Sequence, residues 1–167
     1  MGAGAFASAP IALFRDTLSD KQDMWADTLM ALERMHLERM LVWGLMSFGS
    51  GSAILALVVL RHMPAALLKN FALQMAVWGA IIALFAMRGI NQLHLRDFAG
   101  AQAVVSLLWL NVGLAVGFVA TGLVLMIASW RWQQGSSVIG AGLAIVLHGL
   151  VILALDGHFL GAMGPVA

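Results

Sequence analysis

Cysteine is absent from this 167-residue chain. That excludes a disulfide framework, a thiolate zinc site and a cysteine-ligated iron–sulfur cluster. Charge is nearly as scarce. Only 10% of the residues are Asp, Glu, Lys or Arg, against roughly a quarter in soluble domains. The formal net charge is +1 and no two basic residues adjoin, so the electrostatic footprint of a nucleic-acid binder is missing. Catalytic signatures are missing too. There is no HExxH, P-loop or dinucleotide fingerprint, and Gly49-Ser50-Gly51 is not a nucleophile elbow. The expectation is a protein with no enzymatic site. Transport also fits poorly, because the apolar stretches hold no proline break, no internal repeat and no buried carboxylate of the kind a midplane ion site uses.

What the chain has in excess is apolar length. Hydrophobic residues make up 62%. From Val104 to Ser129, 26 residues pass without a charge, whereas about 20 already cross the hydrocarbon of a bilayer. Three further runs give four expected spans, at about residues 40–60, 70–88, 104–130 and 137–156. The fold class predicted is an all-α membrane protein, a four-transmembrane-helix bundle preceded by an N-terminal amphipathic helix. Residues 1–39 form the arm and that interfacial helix, and 40–167 the bundle. The helix is expected to start near Thr17 or Ser19, which suit an N-cap, and to run to about Met40. The opening residues lack a basic n-region and carry Phe6 where a myristoylation motif has Ser or Thr, so neither a signal peptide nor a lipid anchor is expected. Trp130 and Trp132 flank Arg131 at the end of the third run, where indoles suit the headgroup level. Four spans put both termini on one side. Arg15, Lys21, Arg34, Arg39, Arg88 and Arg96 lie there, against Arg61, Lys69 and Arg131 opposite, which favours the cytoplasm.

Small residues at helical spacing are the candidate packing surfaces. Gly113, Gly117 and Thr121, with Asn111 nearby, make a ridge on the third span. Gly140 and Ala144 lead to His148 on the fourth, and Gly49 and Gly51 lie in the SFGSGSA centre of the first. Such faces let helix backbones approach closely in lipid. His148 is the candidate functional residue, since an ionisable group inside a span is a site hypothesis by default. At about 1.5 Å per residue it lies roughly 10 Å inside the bilayer, at a depth near that of Asn111. The competing structural reading is a neutral imidazole bonded to Asn111 or to a backbone carbonyl. As a cofactor ligand, His148 has no second histidine at its depth for a six-coordinate haem. A five-coordinate bacteriochlorophyll needs one imidazole, and Ala144-x-x-x-His148 resembles the form found in light-harvesting antenna polypeptides. At the terminal-side face His36, His94 and His158 gather with Glu33, Glu38, Asp97 and Asp156. Solvated helix ends are expected there, with Asp156 clasped by Arg39, Arg88 or Arg96, and no metal site.

The stretches HLERMLVWG in the first span, MAVWG (Met75 to Gly79) in the second, NVGLAVGFVATG (Asn111 to Gly122) in the third and the Gly149 to Asp156 ending of the fourth resemble an uncharacterised family of small four-helix bacterial membrane proteins, a domain of unknown function. The resemblance covers roughly residues 35–157. It implies the fold and a bacterial cytoplasmic membrane, and no activity. It also implies an aspartate at the position of Ala115, which this chain lacks. Together these readings predict a structural accessory subunit of a larger bacterial membrane complex, of the photosynthetic (reaction-centre or light-harvesting) or respiratory electron-transfer kind. Its partners would be other membrane protein subunits and the lipid bilayer, with lipids bound in its grooves. The alternative is a tetrapyrrole-binding subunit, for bacteriochlorophyll or haem, with His148 as axial ligand.

Overall fold

The computed structural model describes residues 9–132 and 135–163, with side chains from Met24 onward, as four helices: α1 (Ala9–Leu60), α2 (Ala66–Asn91), α3 (Phe98–Trp132) and α4 (Ser136–Met163). Each contains a stretch long and apolar enough to cross a membrane, with mean hydropathy from 1.7 in α2 to 2.6 in α4. The all-α, four-helix expectation therefore stands. The boundaries differ. α1 is already helical at Ala9, so Thr17 and Ser19 lie inside it and do not start it. Nor is there a break near Met40: the expected amphipathic helix and first span are one uninterrupted rod of 52 residues, about 78 Å at 1.5 Å per residue. No proline falls between Ile11 and Leu60 to stop it. The first eight residues and the last four lie outside the described part.

The turns have local causes. α1 ends in a Schellman motif: His62 adopts the left-handed conformation, φ 48, its N–H donates to Val59 O at 3.2 Å, and Met63 N–H reaches back to Val58 O at 3.1 Å. Pro64 then prevents the helix from resuming at once. At the opposite end, Asp97 caps α3 by accepting a 2.8 Å bond from Gly100 N–H. Ser129 Oγ donates to Gly135 O at 2.8 Å and anchors the turn into α4, where Gly135 takes φ 90.

The buried positions repeat every seven residues. One such row of buried residues is Ala72, Gly79 and Ala86 on α2; Ala101, Leu108, Ala115, Gly122 and Ser129 on α3; and Gly142, Gly149, Asp156 and Met163 on α4. On α1 Gly44, Gly51 and Val58 keep the same step. A sustained seven-residue repeat is the seam of helices wound gently around one another. Glycines on it bring backbones together. A Cβ on Gly44 would sit 2.6 Å from Ala83 N, one on Gly122 would sit 2.6 Å from Gly142 O, and one on Gly79 would collide with the backbone of Phe48. The result is two antiparallel pairs, α1 with α2 and α3 with α4, joined because α4 also packs on α2 and α1. Gly140 and Ala144 are buried on α4, Gly140 directly against Leu67 of α2.

The repeat of seven corrects part of the expected packing surface. Gly51 lies on the seam, but Gly49, Gly113 and Gly117 face open space, with no atom within 4 Å of where a Cβ would stand, and Thr121 is exposed with them. A row stepped by four drifts off a seven-residue seam, so the Gly113 row points outward while Ala115 and Gly122 point in. Large apolar side chains cover the rest of the exterior, among them Phe85, Trp109 and Ile127.

Gly79→Val should lower the stability of the detergent-solubilised chain by about 1–3 kcal/mol through overpacking. Gly113→Ala, with nothing to meet, should change it by less than about 0.5 kcal/mol. Unfolding in a denaturing detergent, followed by helical circular dichroism, distinguishes the two; equal losses would refute the assigned seam.

Candidate functional site: a polar line between the first and fourth helices

Where α1 crosses α4, polar side chains face one another in the interior. His36 and Trp43 are seven residues apart on α1, and His148 and Asp156 are two turns apart on α4; Ser47, one turn after Trp43, lies instead against Gly79 of α2. His36 Nε2 lies 3.2 Å from Asp156 Oδ1, although neither carboxylate oxygen has a well-aligned hydrogen bond. Asp156 is 0% exposed and His36 7%. The His36 ring stacks on Phe159, centroids 4.7 Å apart. A carboxylate so enclosed requires a proton-bearing partner, and among the described residues the imidazole is its only ion-pairing neighbour.

Deeper in, His148 is 1% exposed. Its Nδ1 lies 2.9 Å from Ala144 O; a carbonyl only accepts, so Nδ1 carries the proton and Nε2 presents a bare lone pair. Among the described residues that lone pair has no partner. The edge of Trp43 approaches the ring at 5.7 Å between centroids, and the indole Nε1–H is likewise buried and unbonded. An unused donor and an unused acceptor thus lie on adjoining rings. Ser47 Oγ is a third buried atom without a partner.

Charged pairs hold the terminal-side end. Arg96, in the link between α2 and α3, grips Glu33 of α1 with both Nε and Nη2, at 2.8 and 2.7 Å. The hydrogen bond to Glu33 holds the Arg96 guanidinium above its ordinary pKa, the pair's attraction adding to it while partial burial pulls the other way. Arg39 Nη1 donates to His158 Nδ1 at 3.1 Å. Two expectations are corrected here. Asp156 is paired with His36, not with Arg39, Arg88 or Arg96, and it is a buried carboxylate where none was expected. The physical reason is the repeat: Asp156 falls seven residues after Gly149 on the seam, so it points inward although it is near the helix end.

Two openings flank α1. Between α1 and α4 runs a shallow groove of about 390 Å³ along Met35, Val42, Trp43 and Leu155. Between α1 and α3 lies a crevice of about 210 Å³, walled by Leu37, Met40, Val104, Leu107 and Leu108, with His36, Asn111 and the Glu33–Arg96 pair at its polar edges. Asn111 therefore belongs to this crevice and does not reach His148, whose partner is its own helix's carbonyl. Among the described residues the Asn111 amide makes no hydrogen bond.

A tetrapyrrole does not fit His148 as arranged. Axial ligation needs open surface beside Nε2 for a macrocycle, and that atom has none, with Trp43 packed against the ring. Among the described residues no three His, Asp or Glu side chains converge as a metal site would require. Trp43 was not singled out from the sequence, and Ser47 only as one of the small residues of the SFGSGSA patch. The signal was present in HLERMLVWG, where histidine and tryptophan stand one seven-residue step apart.

Four paired helices of membrane-crossing length, closed around a buried histidine–aspartate contact, define a small helical-bundle protein with an apolar exterior. Residues 39–157 match the DUF6992 model, a family of unknown function, and the chain belongs to that family. No curated protein and no solved structure matches the chain.

His36→Leu should cost about 3–5 kcal/mol, because it strands the Asp156 carboxylate in the interior, and adding Asp156→Leu should restore most of that loss. Unfolding midpoints of the single and double variants in one detergent test this. A double variant as weak as the sum of the singles would show that the two residues do not act as a pair.

Proposed function

We propose that the protein is a structural subunit of a larger assembly in the bacterial cytoplasmic membrane, crossing it four times with both termini on the cytoplasmic side, and that α3 is the helix on which a neighbouring membrane protein docks. The observation that carries this reading is the outward row of Gly113, Gly117 and Thr121. In lipid, helices associate through close backbone approach rather than hydrophobic exclusion, and small residues spaced by four are the surfaces that permit it. Among the described residues nothing approaches Gly113 or Gly117, and Thr121 is exposed. α3 rests chiefly on α4, so most of its circumference is left for lipid or for a partner. Trp130 and Trp132, exposed on either side of Arg131, suit a helix end at the headgroup level. The polar line between α1 and α4 has a structural role in this reading: it ties the N-terminal rod to the helix that contacts all the others.

The chain should co-purify with other membrane subunits when its native membrane is dissolved in a mild detergent. Gly113→Leu with Gly117→Leu should abolish that association while leaving the isolated chain as stable as before, since both positions are open. Native-gel migration and mass spectrometry of the purified material check both halves. A wild-type chain that migrates alone, or a variant that keeps its neighbours, would remove the reading.

A further inference from the structure

The α1–α3 crevice has the attributes of a ligand site that packing alone does not require. Its volume, about 210 Å³, exceeds the roughly 150 Å³ that accommodates a benzene ring in an engineered protein cavity, so one substituted six-membered ring fits. Its walls are mostly apolar, Phe159 of α4 among them, and it is open at the surface of the bundle, which in a bilayer would admit a molecule from the lipid. Its hydrogen-bonding groups stand on opposite walls. Leu29 of α1 packs in one cluster with Ala101, Val104 and Leu108 of α3. Beyond that cluster His36 of α1 and Asn111 of α3 line the same crevice. Asp156 Oδ1 lies 3.2 Å from His36 Nε2, so Nδ1 is the ring nitrogen not facing the carboxylate; the Asn111 amide offers both a donor and an acceptor. Among the described residues neither the Nδ1 atom nor the amide is otherwise engaged. Charge narrows the ligand further. Arg96 is matched by Glu33 and His36 by Asp156, so the crevice presents no unpaired cation for a phosphate.

We propose that this crevice binds the head group of an isoprenoid quinone or its quinol: a neutral ring with oxygens on opposite sides, one toward His36 on α1 and one toward Asn111 on α3, its tail leaving along Leu107 into the bilayer. The proposal requires the chain to lie in a membrane, as argued above, but not a partner on α3. Leu107 lines the mouth, is 58% exposed and belongs to neither charged pair, so it can be enlarged without disturbing the core.

The test is equilibrium binding of a radiolabelled benzoquinone bearing a decyl chain to the full-length protein in phosphatidylcholine nanodiscs. Saturable binding of one molecule per chain above that of empty discs is expected. Asn111→Leu should weaken it about tenfold, the equivalent of one lost hydrogen bond, and Leu107→Trp at least as much, with both variants retaining the wild-type unfolding midpoint. Uptake that rises linearly without saturating, binding unchanged in Leu107→Trp and Asn111→Leu, or displacement by decanol as effective as by unlabelled quinone would each overturn it, the last by showing a slot for any acyl chain. None of these readouts depends on α3's outward row, so this proposal and the docking proposal stand or fall separately.

Discussion

Backbone contact at glycine is the constraint on which the rest of this structure depends. In lipid there is no water to expel between apolar helices, so a bundle must gain its cohesion from packing and from polar contacts. Here the helices meet where side chains are absent: Gly44 and Gly79 between α1 and α2, Gly122 and Gly142 between α3 and α4, Gly140 against Leu67 between α4 and α2. Because these positions share a seven-residue step with the larger buried residues, each pair stays in register over several turns. α4 is the element for which this matters most. It touches every other helix, and Gly140, Gly142, Ala144 and Gly149 give it a slim profile on several sides at once.

That slimness has an electrostatic consequence. A helix surrounded by others can carry a charged group inward only if a neighbour supplies the complement, since the interior provides no water to do so. Asp156 meets that condition through His36, and the uninterrupted course of α1 is what delivers the histidine to the right level. A first helix that began near Met40 would have nothing to set against the carboxylate. The same extension places Glu33 within reach of Arg96, and Leu29 on the cluster with Phe159 and Met163. The segment expected to lie on the membrane surface therefore packs against the end of the bundle through an apolar cluster, an ionic grip and a buried pair.

The number and order of the helices were legible because apolar run length is a one-dimensional property: 26 uncharged residues from Val104 can hardly be anything else. The continuity of α1 was less so, since the change from a polar to an apolar composition around Met40 resembles a boundary although no helix-breaking residue marks one. Which face turns inward was the harder question. α3 offers two rows of small residues, Gly113–Gly117–Thr121 stepped by four and Ala115–Gly122–Ser129 stepped by seven. Both satisfy the rule that small residues favour close approach. Only the second matches the period of the partner, and the partner's period is a property of two helices rather than of one. Asp156 was misplaced for the same reason. Judged by distance from the helix end it belongs to the solvated rim, yet by phase it follows Gly149 into the core. His148 does turn inward as the small-residue stripe suggested, but its surroundings were not legible: whether a buried imidazole has room for a ligand depends on Trp43, 105 positions earlier in the chain.

α3 then carries two unlike surfaces, and their separation is itself informative. One side, at Val104, Leu107, Leu108 and Asn111, faces α1 across a crevice that the helices do not close. Another, at Gly113 and Gly117, is flat and bare. Because α3 is fastened along its length chiefly to α4, with α1 reaching it through the cluster around Leu29, the gap between α1 and α3 can stay open without loosening the α1–α2 and α3–α4 pairs. Closing it would need larger side chains than Ala103 and Val104, and the wall instead ends in an asparagine whose amide makes no hydrogen bond among the described residues. Among the described residues that amide stays unbonded while the histidine lining the same crevice is paired with a carboxylate. The physical case for a ligand between α1 and α3 therefore rests on polarity that finds no partner among the described residues, whereas the case for a partner on α3's outer face rests on the small side chains there.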